Sequence, residues 1–363
     1  MANRSLRVVF DNIIFSLQRA GGISNYWHEL LSRVEKSEIS FRQFEKVNQN
    51  IFSKKLVADA EKESFIPAPL LRYLPLLRRI KTPTLLHTSY YRFSFQRDVA
   101  SIVTLYDFTY EYFTNGLARK VHSLQKAIAI KYSSGIICIS ESTKLDLLKF
   151  YPNVDQKKIK VIHLGVSLNF FPIPSPDLSQ KFQSLTKHQF VLFVGDRSPY
   201  KNFDQAVQAT LGLSEMLLVV VGSKSFTASE LALLSSLAGR VHLFKDIDSS
   251  DLNWLYNNAF CLLYPSRYEG FGIPVLEAMR AGCPVVSTRL SSIPEVAGDA
   301  ALLVDEPTAD QFTEKMKLLA NIDFRNELIK KGHQQSLQFS WDKCYEETLL
   351  FYEEIWNREF TVA

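Results

Sequence analysis

Twice along this chain, short apolar runs alternate with segments of helical period, and no other feature restricts the fold so tightly. The first series has strands over 6–10, 85–87, 100–105, 135–139 and 160–163, with helical patterns over 25–34 and 140–150. The second has strands over 190–194, 217–221, 241–244, 259–264, 284–287 and 301–304. Helical patterns over 202–210, 274–281, 308–320 and 323–337 separate them, and a long helix over 341–356, aromatic on one face, follows. Runs that are apolar throughout belong to strands covered on both faces, and the intervening helices supply the cover. The pattern predicts an α/β fold of doubly wound parallel sheets. A chain of 363 residues has room for two such domains.

The two series are separated by 170–176, where Pro172, Pro174 and Pro176 alternate. Proline fixes its own φ and donates no hydrogen bond, so the stretch reads as a linker. It divides a domain over 1–170 from one over 177–340. At the start of the chain, 4–15 reads as a single strand with Asp11 inside it and shows no signal-peptide pattern.

Hydrophobic residues at 46% and charged residues at 22% exclude a disordered chain. No apolar run approaches the roughly 18–20 residues that span a bilayer. The four cysteines (Cys138, Cys261, Cys283 and Cys344) form no close pair and are expected as reduced, buried thiols. A cytoplasmic protein, peripheral on the membrane at most, is the expectation. Charge is divided unevenly. Residues 1–172 hold 25 Lys and Arg against 14 Asp and Glu, a net of +11; residues 173–363 hold 17 against 24, a net of −7. The basic half suits an anionic partner or is simply a solvated surface.

The richest segment is Pro265-Ser266-Arg267-Tyr268-Glu269-Gly270-Phe271-Gly272-Ile273-Pro274-Val275-Leu276-Glu277-Ala278-Met279, between a strand and a helix. Pro274 suits a first helical turn. A helix start leaves backbone N–H groups without intrahelical partners, and Gly270 and Gly272 let an anion approach them. The loop therefore has the chemistry of a diphosphate cradle. Glu269 precedes the helix and Glu277 lies within its first turns, roughly 10 Å apart along the axis at about 1.5 Å per residue, a reach that suits a sugar and a ribose.

This string, continued by Ala281-Gly282-Cys283-Pro284-Val285-Val286, resembles the two-glutamate signature of retaining glycosyltransferases of the GT-B fold, specifically glycosyltransferase family 4. The resemblance runs over nearly the whole chain, through the Gly21-Gly22 turn, the strand ending at Gly195 with Lys201 beyond it, and Pro294-Glu295-Val296. It implies two Rossmann-like domains facing across a cleft, with the C-terminal helix (341–363) crossing back to the N-terminal, acceptor-side domain. It implies a nucleotide-sugar donor and no metal or other cofactor. Glu269 would contact the transferred sugar and Glu277 the ribose. The backbones of Phe271, Gly272 and Ile273 would hold phosphate and sugar, and Gly22 would close over the distal phosphate. Phe244 and Lys245 fall where the family holds the base.

Departure of the leaving group puts negative charge on a diphosphate, and without a metal a cation must receive it. Arg197 and Lys201, in the loop after Gly195, look like the family's Arg/Lys pair, although Asp196 takes the place next to the glycine. Many relatives place a His-Asp pair after an N-terminal strand; here Tyr106-Asp107 stands there. Both are candidates, and Ser140 and Glu141 are expected at the same edge. His87 is as readily a satisfied core histidine. Asp246-Ile247-Asp248 matches the metal-binding DxD pattern formally, but it lies off the phosphate loops and is not expected to bind one.

The stretch 70–81 mixes leucines with Arg72, Arg78, Arg79 and Lys81. It reads either as an inner-membrane contact or as buried structure with snorkelling basic side chains. The expected function is transfer of a hexose, mannose from GDP-mannose first, to a glycan or lipid-linked acceptor in bacterial surface polysaccharide assembly. A nucleotide-sugar epimerase or a phosphorylase of the same fold is the alternative. A nucleic-acid-binding role is not expected, because no recognition motif accompanies the basic half.

Overall fold

The computed structural model describes residues 6–174, 180–182 and 184–361, so Arg4 and Pro176 lie outside the described residues. The chain forms two compact units, Met1–Gly165 together with Trp341–Ala363, and Val166–Ser340.

Unit 1 is built on β1 (Arg7–Asp11), β2 (Ser40–Phe44), β3 (Thr84–Thr88), β4 (Val99–Leu105), β5 (Gly135–Cys138) and β6 (Ile159–Val161). All pairings are parallel, in the order β2-β1-β3-β4-β5-β6. Its helices are α1 (Ile13–Leu17), α2 (Gly22–Val34), α3 (Ala68–Leu71), α4 (Thr109–Phe113), α5 (Gly116–Tyr132) and α6 (Glu141–Phe150). Every residue of β4 is buried, as a strand covered on both faces requires.

The single strand expected over 4–15 is not what forms. β1 ends at Asp11, and Ile13, Ile14 and Phe15 are buried from the short helix α1 instead. Asn12 makes the break: its Nδ2 donates to Gln43 at 2.8 Å, and its Oδ1 accepts from Trp27 Nε1 at 2.8 Å. With its side chain held between β2 and α2, Asn12 leaves strand geometry at φ −86° and ψ 27°.

The stretch 70–81 forms no amphipathic helix, because α3 stops at Leu71. Leu76 and Ile80 turn inward against Val9, Phe44, Leu86 and Val99. Arg92, almost wholly buried, accounts for the turn. Its guanidinium donates to the carbonyls of Leu74 and Pro75 and pairs with Asp11 at 3.1 Å and Glu63 at 2.8 Å. Burial raises the Asp11 carboxyl to about 6, against the pull of Arg92.

The C-terminal helix, Trp341–Phe360, completes unit 1. Tyr352 stands 6.3 Å from the Phe10 ring and hydrogen-bonds His87. A Cβ at Gly135 would come within 3.0 Å of the Phe351 ring, so only glycine lets the helix lie this close.

Unit 2 repeats the plan with β7 (Phe190–Val194), β8 (Leu217–Val221), β9 (Val241–Phe244), β10 (Cys261–Tyr264), β11 (Val285–Thr288) and β12 (Leu302–Val304). The order is β12-β11-β10-β7-β8-β9, again all parallel. Its helices are α7 (Phe203–Leu211), α8 (Ala228–Leu234), α9 (Ser249–Asn258), α10 (Ile273–Ala281), α11 (Ile293–Ala297), α12 (Ala309–Leu318) and α13 (Ile322–Ser336). Val191, Phe193, Leu218, Val220 and Leu263 pack against Phe203, Val207, Phe312 and Met316. Each such side chain stabilises the unit by about 1.5–3 kcal/mol.

Residues 171–174 are neither helix nor strand. They are fastened to α9, where Asn253 accepts from Phe171 N at 3.1 Å and Asn257 from Ile173 N at 2.7 Å. All four cysteines are free and buried. Among the described residues no helix is long and apolar enough to cross a membrane.

Candidate functional site

The strand order of the second sheet reverses between β7 and β10. In open parallel sheets, ligands bind outside the carboxyl ends of strands at such a reversal. The two segments leaving these ends are the ones the sequence singles out. They are stitched together: Asn202, in a left-handed conformation at φ +50°, donates through Nδ2 to Pro265 O at 2.9 Å. Arg267 N donates to Tyr200 O at 2.8 Å.

This stitching brings Lys201 to Glu269. Nζ lies 2.6 Å from Glu269 Oε1 and 3.3 Å from the Tyr264 hydroxyl, and both charged side chains are only 11% exposed. Burial alone would lower the Lys201 ammonium, but the Glu269 carboxylate beside it holds it above its usual value.

The Glu269 loop is braced from β11. Ser287 Oγ donates to Tyr264 O at 2.6 Å and Thr288 Oγ1 to Ser266 O at 2.7 Å. Ser291 Oγ accepts from Glu269 N at 2.8 Å. Ser292 shares its hydroxyl between the carbonyls of Glu269 (2.9 Å) and Phe271 (2.8 Å). None of these four hydroxyls belongs to the motif that marks the loop in the sequence. Their signal was the density of Ser and Thr directly after an apolar strand. Ser292 is fully buried, and removing its hydroxyl leaves carbonyls without their donor. Ser292→Ala is therefore expected to lower stability by about 1–3 kcal/mol in a denaturant titration. An unchanged midpoint would mean that the loop stands without this clamp.

Gly272 caps the start of α10 at φ +106°, a conformation that side-chain-bearing residues rarely adopt, and a Cβ there would also press on Ile293 Cδ1 at 2.9 Å. Pro274 sits in the first turn, as its missing N–H allows. Further along α10, half-buried Glu277 accepts from the Tyr256 hydroxyl at 3.0 Å. Burial pushes its carboxyl up to about 7, although the Tyr256 hydrogen bond works the other way.

Arg197 does not join Lys201. Its Nε pairs with Glu230 at 2.6 Å, and its Nη2 donates to the carbonyls of Lys224 and Ser225 at 3.1 and 2.9 Å. Glu230, unnoticed in the sequence, also closes a capping box with Thr227 at the start of α8. Gly195 (φ +133°) lies under this loop, so close that a Cβ on Gly222 would sit 2.9 Å from its carbonyl. At the end of β9, Phe244 O accepts from Gly222 N at 3.1 Å, and Lys245 Nζ reaches Ser225 Oγ at 3.1 Å.

The remaining candidates belong to unit 1. Gly22 opens α2, and a Cβ there would meet nothing within 4 Å. Tyr106 is buried and donates to Ser89 O at 3.2 Å; burial raises its phenol well above the usual value, so it stays neutral. Asp107 Oδ1 accepts from Thr109 N at 2.9 Å, and its carbonyl accepts from Lys126 Nζ at 2.9 Å. Ser140 caps α6, just before Glu141. His87 is a core histidine: Nε2 meets Thr104 Oγ1 at 2.8 Å and Nδ1 meets Tyr352, while burial lowers it to about 3. Asp248 caps α9, accepting from Asp251 N at 2.8 Å. Among the described residues no group of three His, Cys, Asp or Glu is placed to hold a metal ion.

Two family profiles match the chain. Glycosyltransferase Family 4 matches residues 20–170, and Glycosyl transferases group 1 matches residues 175–335. The chain is 28% identical over 248 residues to an O-antigen chain mannosyltransferase B of Escherichia coli, covering 64% of this chain and 65% of that protein. It is 26% identical over 245 residues to the O-antigen chain mannosyltransferase RfbU of Salmonella typhimurium, covering 66% and 65%. These matches thus span just under two thirds of each relative's length. Among solved structures, a sucrose-phosphate synthase from Thermosynechococcus elongatus superposes with a TM-score of 0.77 at 19% identity, covering 97% of this chain and 100% of that one. An Anabaena protein, HepE, solved with UDP and glucose, superposes with a TM-score of 0.74 at 14% identity, covering 94% and 98%.

Proposed function

The chain belongs to the family 4 glycosyltransferases of the GT-B fold, and from that premise we propose that it moves a hexose from a nucleoside diphosphate to a glycan or lipid-linked glycan in bacterial surface polysaccharide assembly. The observation that carries this is the 2.6 Å contact of Lys201 with Glu269 at the switch point of the second sheet. One group suits a phosphate, the other a sugar hydroxyl, and both are held on braced loops. The complex of HepE with UDP and glucose supports a nucleotide-sugar donor. The O-antigen mannosyltransferases among the relatives support mannose from GDP-mannose.

In this reading the bond between the anomeric carbon and the phosphate oxygen breaks, and the charge settles on the diphosphate. Lys201 and the first-turn amides of α10 receive it, so the reaction needs no metal. The phosphate oxygen takes the acceptor's proton while the acceptor oxygen bonds to the anomeric carbon on the same face, which retains its configuration. Glu269 orients the sugar and Glu277 the ribose. Arg197 serves by holding the 222–230 loop against Gly195, Phe244 and Lys245 border the base, and Gly22 meets the distal phosphate. Asp107 and Tyr106 are assigned to the sugar side.

A ligand bound only by the native state stabilises it by about 2.7 kcal/mol at a hundredfold excess over Kd. A thermal-shift panel of GDP-, UDP-, dTDP- and CMP-sugars in EDTA is therefore expected to give its largest rise with GDP-mannose. A panel in which no nucleotide sugar raises Tm would end this reading.

A further inference from the structure

Helix α5 is amphipathic in the wrong sense for a helix that serves only the core. Leu117, Val121, Leu124, Ile128 and Tyr132 recur on one side, and this side faces outward. Leu117 is 76% exposed and Leu124 61%, with Val121 and Tyr132 also exposed and Ile128 half-buried. The side turned to the core carries His122, Gln125 and Lys126 beside Ala129 and Ile130. The stripe runs the length of the helix, about 22 Å at 1.5 Å per residue. At its end Phe95, 63% exposed, packs edge-on against Tyr132 with ring centroids 4.8 Å apart.

The adjoining surface is cationic. Over its 17 residues α5 contains no Asp or Glu, while Arg119, Lys120 and Lys131 are exposed along it. The backbone of Arg72, between exposed Leu70 and Tyr73, accepts from Gln125 of α5. The two exposed residues therefore extend the apolar surface on that flank. Beyond them stand Arg78, Arg79 and Lys81, all exposed. An apolar stripe bordered by basic residues is poorly suited to water and well suited to the boundary between headgroups and acyl chains.

We propose that the outward face of α5, with Leu70, Tyr73 and Phe95 around it, is a docking surface for an anionic lipid bilayer, on which the helix lies flat. Leu117 and Leu124 enter the acyl boundary, and Lys120 and Lys131 meet phosphate headgroups. Charge complementarity selects a bilayer over a second copy of the chain, since two copies would bring like charges together along the whole stripe. The proposal concerns where the protein sits and does not depend on the donor or the reaction.

The test is flotation of the full chain with vesicles of phosphatidylglycerol and phosphatidylcholine, and with phosphatidylcholine alone. The unaltered protein is expected to float with the anionic vesicles only. Leu117→Asp with Leu124→Asp is expected to lower the partition coefficient by about a hundredfold or more. Lys120→Glu with Lys131→Glu is expected to lower it by at least about tenfold, as is raised salt. These side chains are exposed, so unchanged circular dichroism and Tm should accompany both variants. Failure to float, or flotation that survives the leucine variant, overturns the proposal. Self-association in sedimentation that the leucine variant abolishes, without flotation, would assign the surface to a second copy and overturn it equally.

Discussion

Replacing Lys201 with alanine is expected to lower donor turnover by about 10²–10³-fold, the loss that follows removal of one preorganised charge-stabilising contact. The variant leaves Glu269 in a site where it is only 11% exposed and without its cation. Breaking one side of such a pair costs a few kcal/mol of stability. Unfolding and activity must therefore be read together. Lys201→Ala with Glu269→Ala removes the stranded carboxylate and should recover part of the lost stability while turnover stays low. Steady-state kinetics and denaturant titration of the two single variants and the double variant form a cycle that separates the effects. Activity that returned along with stability would reduce the pair to a structural tie.

Donor binding is expected to depend on the ionisation of Glu277. Its carboxyl, raised by burial to about 7, is half ionised near neutral pH. Two ribose hydroxyls donate better to a carboxylate than to a neutral acid, because hydrogen bonds to a charged acceptor are stronger. Affinity for the donor should therefore rise as pH goes from 6 to 8. A sugar-bearing diphosphate does not titrate in that range, so the slope reports the protein. Glu277→Gln should weaken binding by roughly tenfold to a hundredfold at pH 8, much less at pH 6, and should flatten the profile. Calorimetry with GDP-mannose in the absence of acceptor measures this; an unchanged slope in the variant would assign the titration elsewhere. The free protein has the opposite tendency. A carboxyl whose folded value lies above its unfolded one binds its proton more tightly when folded, so that contribution to stability is present at low pH and is lost as pH rises through 7.

The strands were legible wherever both faces are buried. β7 is apolar from end to end, and β4, buried throughout, is interrupted only by Ser101 and Thr104. β2 was not, because Ser40-Phe41-Arg42-Gln43-Phe44 is an edge strand with polar residues at its centre, paired with β1 on one side and bridged only to Glu61 on the other. α5 escaped for a different reason: its Leu and Val face outward and its buried side is partly polar, so the periodicity that announces a helix was tied to no core. α9 likewise buries Asn253 and Asn258, which hydrogen-bond backbone rather than pack as apolar groups.

The Glu269 loop could be read because its parts are contiguous, from strand end through glycines and proline to the second glutamate. What holds the loop could not. Ser287, Thr288, Ser291 and Ser292 act across a gap of about twenty residues, on carbonyls and an amide that carry no sequence signal. Arg197 shows the converse. It stands four residues before Lys201, yet Glu230, 33 positions away, captures it and turns it to the other side of the loop. The basic stretch 70–81 was ambiguous because the buried Arg92 decides which of its leucines turn inward, and Arg92 lies outside it.

The C-terminal helix joins unit 1 only after unit 2 has been synthesised. Its rings fill the space beside Phe10, His87 and Gly135, yet more than two hundred residues separate it from all three. A ribosome delivers the whole of Val166–Ser340 before Trp341–Phe360 emerges. The segment made later can thus mature first, while the sheet made earlier waits with an apolar seam uncovered for the duration of that synthesis. Nascent chains stalled before residue 341 should be the ones that chaperones hold.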